Sequence, residues 1–197
     1  MVKKSITCIS LLFIGCGISY FCLDYYNHIE DINNNELLID DYFYNDNKLE
    51  AKTEDKTSNK QTNNYVAVLA IPKLNFRRGL YEQHNPESEL SKNIIFLDSS
   101  DMPNKENSRV IIVGHSGDTS NSYFKYLYKL KYKDTIYLYY NGIKYVYQVN
   151  DIYEIKKSGK LALESNKTKK TLTLVTCKGS DKQLVIISTL TKEEDIS

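Results

Sequence analysis

From residue 65 onward the chain is a succession of short apolar runs separated by turn residues, and this pattern limits its fold more than any other feature. Runs of this length suit β-strands, whereas core helices need longer amphipathic segments. Asn141 and Gly142 tolerate the positive φ angles of a two-residue turn, so they predict a hairpin. Many short strands with few helices predict an all-β closed barrel or a sandwich. The predicted strands cover residues 66–71, 109–113, 135–140, 143–149, 151–155, 172–176 and 184–189.

Helices play a minor part in this prediction. Phe124, Leu127 and Tyr128 recur at helical spacing, so residues 122–130 predict one short helix packed on the core. The polar segment 24–64 is typical of a stalk, with room for a short helix near residues 32–44.

An uncharged, mostly apolar run, residues 6–23, follows Lys3 and Lys4 near the N-terminus. A helix of this length spans roughly 27 Å, which is close to the thickness of a bilayer core. No small-residue cleavage site interrupts the run, so it predicts a transmembrane signal anchor rather than a removable signal peptide. Lysines before the run and acids after it predict a cytoplasmic N-terminus and an extracellular remainder.

The chain is therefore expected to have three parts: a cytoplasmic tip and transmembrane anchor (1–23), a polar acidic stalk (24–64) and a folded domain (65–197). Residues 24–50 contain eight acids and one lysine, whereas residues 51–197 contain 23 basic and 17 acidic residues. The folded domain carries a mild positive charge. That charge suits either an ordinary solvated surface or a weak attraction to an anionic wall or membrane.

Three of the four cysteines lie in the apolar run, and only Cys177 follows it. No disulfide can form within the folded domain, so its core must suffice for stability. A lone thiol outside the cytoplasm is either a small buried hydrophobe or a reactive group.

Two chemically active residues directly follow predicted strands. His115 comes after the run 110–114, and Cys177 comes after the run 172–176. Strand ends place side chains at the rim of a rigid scaffold, where a substrate can reach them. A thiolate attacks carbonyl carbon, and a nearby imidazole can take up its proton and return one to a leaving amine. His28 lies beside the apolar run and His84 lies in a polar loop, so both are weaker candidates.

Four motifs in this order resemble those of sortases. Residues 173–177, TLVTC, resemble the sortase TLxTC signature, and residues 113–116, VGHS, resemble the histidine segment of that family. Residues 71–75, IPKLN, resemble the element that opens the sortase domain. Residues 124–135 resemble the F-x-x-L-x-x-L-x-x-G-D stretch, with Lys133 in place of the glycine.

The resemblance implies an eight-stranded β-barrel and a cysteine transpeptidase acting at the cell surface of a Gram-positive bacterium. In such a reaction Cys177 cleaves an LPxTG-type sorting motif of a surface protein and holds it as a thioester. An amine of a peptidoglycan precursor or of a pilin then resolves the thioester. No cofactor, metal or nucleic acid is expected.

One position departs from the family pattern. Sortases carry an arginine where the last strand begins, and Gln183 stands there in this chain. Glutamine has two donors and no charge, whereas arginine has five donors and a fixed charge. Lys182 or Lys178 could supply a charge from the same loop. Arg109 is expected at the opposite end of its strand.

Two other interpretations stay open. A papain-like peptidase or an L,D-transpeptidase would also pair Cys with His, although neither matches the order His115 before Cys177. The chain could also be a binding or scaffold protein with the sortase fold. Loss of activity in such a protein would explain why Gln183 stands in place of the arginine.

Overall fold

The computed structural model describes residues 2–46, 64–157 and 168–196, and in the helix it describes the side chains of residues 16–44. Its regular elements comprise one long helix, eight strands and two 3₁₀ turns, at Pro72–Leu74 and Leu127–Lys129. The helix is α1 (Val2–Asp46), and the strands are β1 (Ala67–Ile71), β2 (Phe76–Leu80), β3 (Ile95–Phe96), β4 (Arg109–Val113), β5 (Thr135–Tyr140), β6 (Ile143–Lys156), β7 (Thr171–Lys178) and β8 (Lys182–Asp195).

The eight strands form one sheet in the order β2-β1-β5-β6-β8-β7-β4-β3, which curls into a nearly closed barrel. Among these strands only β4 and β7 pair in parallel, and every other neighbouring pair is antiparallel. Alternate residues of each strand fill the interior, as the period of two requires. Leu69, Ile112, Leu138, Leu174 and Ile186 belong to this core. The predicted all-β eight-stranded barrel is confirmed in this nearly closed form.

The two edge strands, β2 and β3, meet through side chains instead of a ladder of backbone hydrogen bonds. Asn93 donates from Nδ2 to the carbonyl of Gly79, at 3.0 Å. Its Oδ1 accepts a hydrogen bond of 2.8 Å from Nε of Arg78. Arg78 is only 6% exposed and also donates to the hydroxyl of Tyr123, at 2.8 Å. We call this cluster of Arg78, Asn93 and Tyr123 the barrel seam.

The predicted hairpin at residues 141–142 is confirmed. Asn141 has a φ of 49° and Gly142 a φ of 71°, which are the left-handed values that a type I′ turn needs. The flanking strands β5 and β6 pair from Tyr140 with Ile143 to Thr135 with Gln148.

Three predictions on the strands and helices need correction. The separate strands predicted at 143–149 and 151–155 are one strand, β6, which continues through an irregularity between Val149 and Asp151. Strand β2 was missed because Arg77, Arg78 and Gly79 interrupt its apolar pattern. The helix predicted over 122–130 is wrong: this stretch consists of turns with a single 3₁₀ turn at Leu127–Lys129.

The N-terminal helix is longer than expected: α1 continues through about half of the predicted stalk and ends at Asp46. In the part of the chain that the structure describes, no helix is both long enough and apolar enough to cross a membrane. The predicted span 6–23 is therefore not confirmed. For the residues of this span before Cys16, the structure describes the backbone and not the side chains. Residues 47–63 of the predicted stalk also lie outside it.

The chain divides into two compact units, residues 1–37 and 38–197. In the first unit, large apolar side chains of the helix such as Tyr20 and Phe21 are exposed. In the second unit, the end of α1 packs on the barrel, where Ile39 is buried with Tyr65 and Val68. This contact explains why an acidic segment is helical, since most helical stability in proteins comes from packing of an apolar face.

Lys133 occupies a backbone conformation that suits glycine, with a φ of 71°. A side chain in this conformation costs about 1–2 kcal/mol of stability. Replacement by glycine recovers only part of that amount, because glycine makes the unfolded chain more flexible. We expect Lys133→Gly to raise the free energy of unfolding by about 0.5–1 kcal/mol in urea titrations. Lys131→Gly is the matched control, because Lys131 has no positive φ and should lose stability. Equal effects of the two changes would contradict the prediction.

Candidate active site

The site is built on the parallel pair β4 and β7. Their register runs from Arg109 opposite Thr171 to Val113 opposite Val175. His115 lies two residues beyond Val113 and Cys177 lies two residues beyond Val175, so both lie past the same end of this register. The two predicted residues therefore lie side by side at the same end of neighbouring strands, whose backbones are about 4.8 Å apart.

Hydroxyl groups continue the pairing where the ladder of β4 stops. The amide of Gly114 donates to the carbonyl of Val175 at 3.2 Å. Thr176 donates from Oγ1 to the carbonyl of Gly114 at 2.7 Å. Ser116 donates from Oγ to the carbonyl of Cys177 itself. Three successive bonds thus hold the backbone around the imidazole against the backbone around the thiol.

His115 is also held from its other side. Its carbonyl accepts a hydrogen bond of 2.9 Å from the amide of Phe124. Gly114 makes this approach possible, because a Cβ at that position would lie 2.7 Å from the Phe124 ring and 2.9 Å from Ile94. Such distances are well below van der Waals contact, so the glycine before the histidine is required by packing.

Cys177 lies inside β7, which extends to Lys178, and not just after the strand as predicted. It pairs across the sheet with Gln183 of β8, and Gln183 pairs in turn with Ile155 of β6. Residues directly opposite each other in a sheet point to the same face. His115, Cys177 and Gln183 are each partly buried and follow one another across three adjacent strands.

The two lysines considered in place of the family's arginine lie on the other face of the sheet. Lys178 pairs in register with Lys182, one position away from the pair formed by Cys177 and Gln183. Both ammonium groups bind the carboxylate of Glu154, Lys182 at 3.1 Å. Hydrogen bonds from Lys178 and Lys182 lower the pKa of that carboxyl. Arg109 lies at the opposite end of β4, opposite Thr171.

The face that carries the thiol is apolar beyond it. Ile111, Val175 and Val185 are buried there, on the opposite side of the sheet from the barrel core. The half-buried residues packed around them are Leu97, Val113, Tyr153, Ile155 and Ile187. In the sequence, the continuous apolar character of β7 and β8 is typical of strands that are covered on both faces.

Sequence motifs included Ser116 and Phe124, but they gave no role in the site to either residue or to Ile94. Ser116 directly follows the histidine, and a short polar side chain at that point was the one available hint. For metals, no group of three or more His, Cys, Asp or Glu side chains is arranged to hold an ion within the described residues.

A family model of the sortase domain matches residues 69–191. The chain belongs to the sortase family. Members of this family are cysteine transpeptidases associated with the cell surface. The match begins in β1 and ends in β8, so it includes all the elements that hold His115, Cys177 and Gln183.

Solved sortase structures share the fold. The Clostridium perfringens sortase D5 transpeptidase has a TM-score of 0.61 and 22% identity, covering 82% of this chain and 98% of that one. A lid mutant of sortase A from Corynebacterium diphtheriae has a TM-score of 0.60 and 23% identity, covering 68% and 75%. Sortase C-1 from Actinomyces oris has a TM-score of 0.59 and 23% identity, covering 65% and 74%. No curated protein matches the chain.

The buried hydroxyl of Thr176 should matter for stability as well as for alignment. In Thr176→Val the buried carbonyl of Gly114 loses its partner, which costs about 1–3 kcal/mol. We expect this loss in the free energy of unfolding measured by urea titration. Thr173→Val, on the same strand, is the matched control: the Thr173 side chain is equally buried and forms no hydrogen bond in the described part of the chain. Equal losses in both variants would contradict the role assigned to the bond.

Proposed function

We propose that this sortase is a cysteine transpeptidase in which Cys177 is the nucleophile and His115 its acid–base partner. The observation that carries the proposal is the parallel register of β4 and β7, which brings the two residues to the same strand ends. The substrate is the LPxTG-type sorting motif of a surface protein. The acceptor is an amine of a peptidoglycan precursor or of a pilin.

The reaction balances with these two groups alone. The Cys177 thiolate attacks the carbonyl carbon of the scissile peptide bond, and the imidazolium of His115 gives its proton to the departing amine. The acyl group remains on sulfur as a thioester. The acceptor amine then attacks the same carbon, its proton passes to His115, and Cys177 departs as thiolate. The enzyme returns to its starting protonation.

Gln183 is the proposed donor to the oxyanion. Its pairing with Cys177 puts both on one face of the sheet, whereas Lys178 and Lys182 lie on the other face and bind Glu154. A neutral amide stabilises an oxyanion less than a guanidinium, because a charge-assisted hydrogen bond contributes about 1.5–3 kcal/mol and a neutral one about 0.5–1.5 kcal/mol. We therefore expect this enzyme to turn over more slowly than a relative that carries the arginine.

The apolar surface beside the thiol supports a substrate with apolar residues ahead of its scissile bond. Val175 and Val185 lie two residues from Cys177 and Gln183 along their strands and share their face. The leucine and proline of an LPxTG-type motif fit such a surface better than charged residues do.

We further propose a membrane-anchored protein with its N-terminus in the cytoplasm and its catalytic domain outside. Support comes from the sequence: Lys3 and Lys4 precede the apolar run 6–23, and acidic residues follow it. The division into an anchor at 1–23, a stalk at 24–64 and a catalytic domain at 65–197 belongs to the same proposal.

A second candidate function is favoured by Gln183 alone. With the family's arginine absent, the fold could bind a sorting motif and not turn it over, as a binding or scaffold protein would. Trapping separates the two candidates, because only an active enzyme forms a thioester that hydroxylamine can intercept.

The nucleophile is tested by substitution. Cys177→Ala should abolish formation of the hydroxylamine adduct of a sorting-motif peptide, measured by mass spectrometry, and leave the unfolding transition nearly unchanged. The matched control is the double change Cys16→Ser and Cys22→Ser, which removes two exposed thiols and should leave the yield intact. Adduct formation by Cys177→Ala would refute the assignment.

The role of Gln183 is tested against Lys182, its neighbour on the opposite face. Loss of one oxyanion donor lowers turnover by about 10²–10³-fold elsewhere. Gln183→Ala should therefore lower kcat by about tenfold or more, with little effect on KM, while Lys182→Ala should change kcat less than threefold. Gln183→Arg should preserve or raise kcat. Unchanged turnover in Gln183→Ala would assign the oxyanion to backbone amides beside the thiol.

A further inference from the structure

The segment from Tyr123 to Lys133 alternates aromatic and basic residues and contains no acidic residue. Leu127 and Leu130 are buried in the core, which turns the residues between and after them outward. Tyr126, Tyr128 and Tyr132 are 49%, 60% and 65% exposed. Lysines separate and flank them. We call the exposed set Tyr126, Tyr128, Lys129, Lys131, Tyr132 and Lys133 the Tyr/Lys surface.

Two ammonium groups of this surface lie near two of its rings. Lys129 places Nζ 4.2 Å from the ring centre of Tyr126, and Lys133 places Nζ 5.8 Å from that of Tyr132. Positive charge is therefore spread over a face that also exposes phenol rings. Cation–π contacts of this kind leave the charge available to an external anion.

The charge of the Tyr/Lys surface is not neutralised within the barrel. Lys129, Lys131 and Lys133 form no ion pair among the residues that the structure describes. Lysines elsewhere differ: Lys144 binds Glu194 at 3.0 Å and Lys170 binds Glu193 at 2.7 Å. Within the described residues, three neighbouring lysines thus lack the carboxylate partners that most other lysines of the barrel have, and their positive charge is complementary to an external anion.

We propose that the Tyr/Lys surface docks on the headgroup layer of an anionic phospholipid bilayer. Tyrosine has an apolar ring with a polar tip, and its enrichment at membrane–water interfaces follows from that combination. Each lysine near an anionic leaflet strengthens binding about fivefold, so three lysines supply about two orders of magnitude. A solvated polyanion would be bound by the lysines alone and would leave three exposed rings unexplained.

Docking at this surface bears on the catalytic segment. Phe124 lies in the same stretch of chain, and its amide donates to the carbonyl of His115 at 2.9 Å. A bilayer contact over residues 126–133 therefore holds the segment that positions the imidazole. This inference goes beyond transpeptidation and stays testable if the proposed activity fails, since lipid contact is measured without turnover.

The absence of tryptophan from the chain gives a direct experiment. Tyr128→Trp in the full chain introduces a single indole at the surface. With vesicles of phosphatidylcholine mixed with phosphatidylglycerol, its emission should shift to shorter wavelength, and brominated lipid should quench it. Pure phosphatidylcholine vesicles, or high salt, should leave the emission close to its value in buffer, because the attraction depends on charge.

Two triple variants carrying Tyr128→Trp provide matched controls. Lys129→Gln, Lys131→Gln and Lys133→Gln together should abolish the shift. Lys92→Gln, Lys105→Gln and Lys192→Gln together remove the same charge elsewhere and should retain the shift. Equal loss in both triples, or no shift with anionic vesicles, overturns the proposal. A shift with soluble polyphosphate but none with vesicles also overturns it, in favour of a polymer site.

A second measurement avoids any tryptophan variant. In the unaltered full chain, acetylation of Lys129, Lys131 and Lys133 should slow at least fivefold when anionic vesicles are present, read by mass spectrometry. The exposed lysines Lys105 and Lys192 serve as internal references, and their rates should not change. Equal acetylation rates at the Tyr/Lys surface with and without anionic vesicles contradict the docking.

Discussion

The parallel pairing of β4 with β7 is the constraint on which the rest of the active site depends. Both segments advance six residues, from Arg109 to His115 and from Thr171 to Cys177, so one register aligns imidazole and thiol. Side chains alternate between faces along a strand, and a slip of one residue would turn the thiol into the barrel core. The hydroxyls of Ser116 and Thr176 prevent such a slip where the backbone ladder has ended.

The same pairing decides which residues can take part in the chemistry. Gln183 shares a face with Cys177 because the two are directly opposed in the antiparallel pair β7–β8. Lys182 is adjacent in sequence to Gln183, yet it points to the other face and binds Glu154. Closeness in sequence therefore does not identify the residue that replaces the family's arginine. Strand register does distinguish the candidates, because it puts Gln183 on the face of Cys177 and Lys182 on the other face.

Sequence patterns predicted an all-β barrel or sandwich, the hairpin at Asn141 and the strand-end positions of His115 and Cys177, and the resemblance to sortases implied the barrel. They could not predict that β4 and β7 are neighbours, since the period of a strand carries no information on its partner. The false helix at 122–130 had a physical cause: Phe124 and Leu127 are buried at helical spacing, but successive turns place them there. Strand β2 was missed because Arg78, although buried, is a charged residue of the kind that is typical of loops.

The barrel seam has a consequence for motion. Between β2 and β3 the sheet is joined by the side chains of Arg78, Asn93 and Tyr123, and β3 contributes only two residues to the sheet. Local opening costs least where few backbone hydrogen bonds must break, so amide hydrogens beside the seam should exchange faster than those of β7 or β8. Tyr123 directly precedes Phe124, whose amide binds the carbonyl of His115. The most easily opened part of the barrel is therefore coupled to the backbone of its histidine.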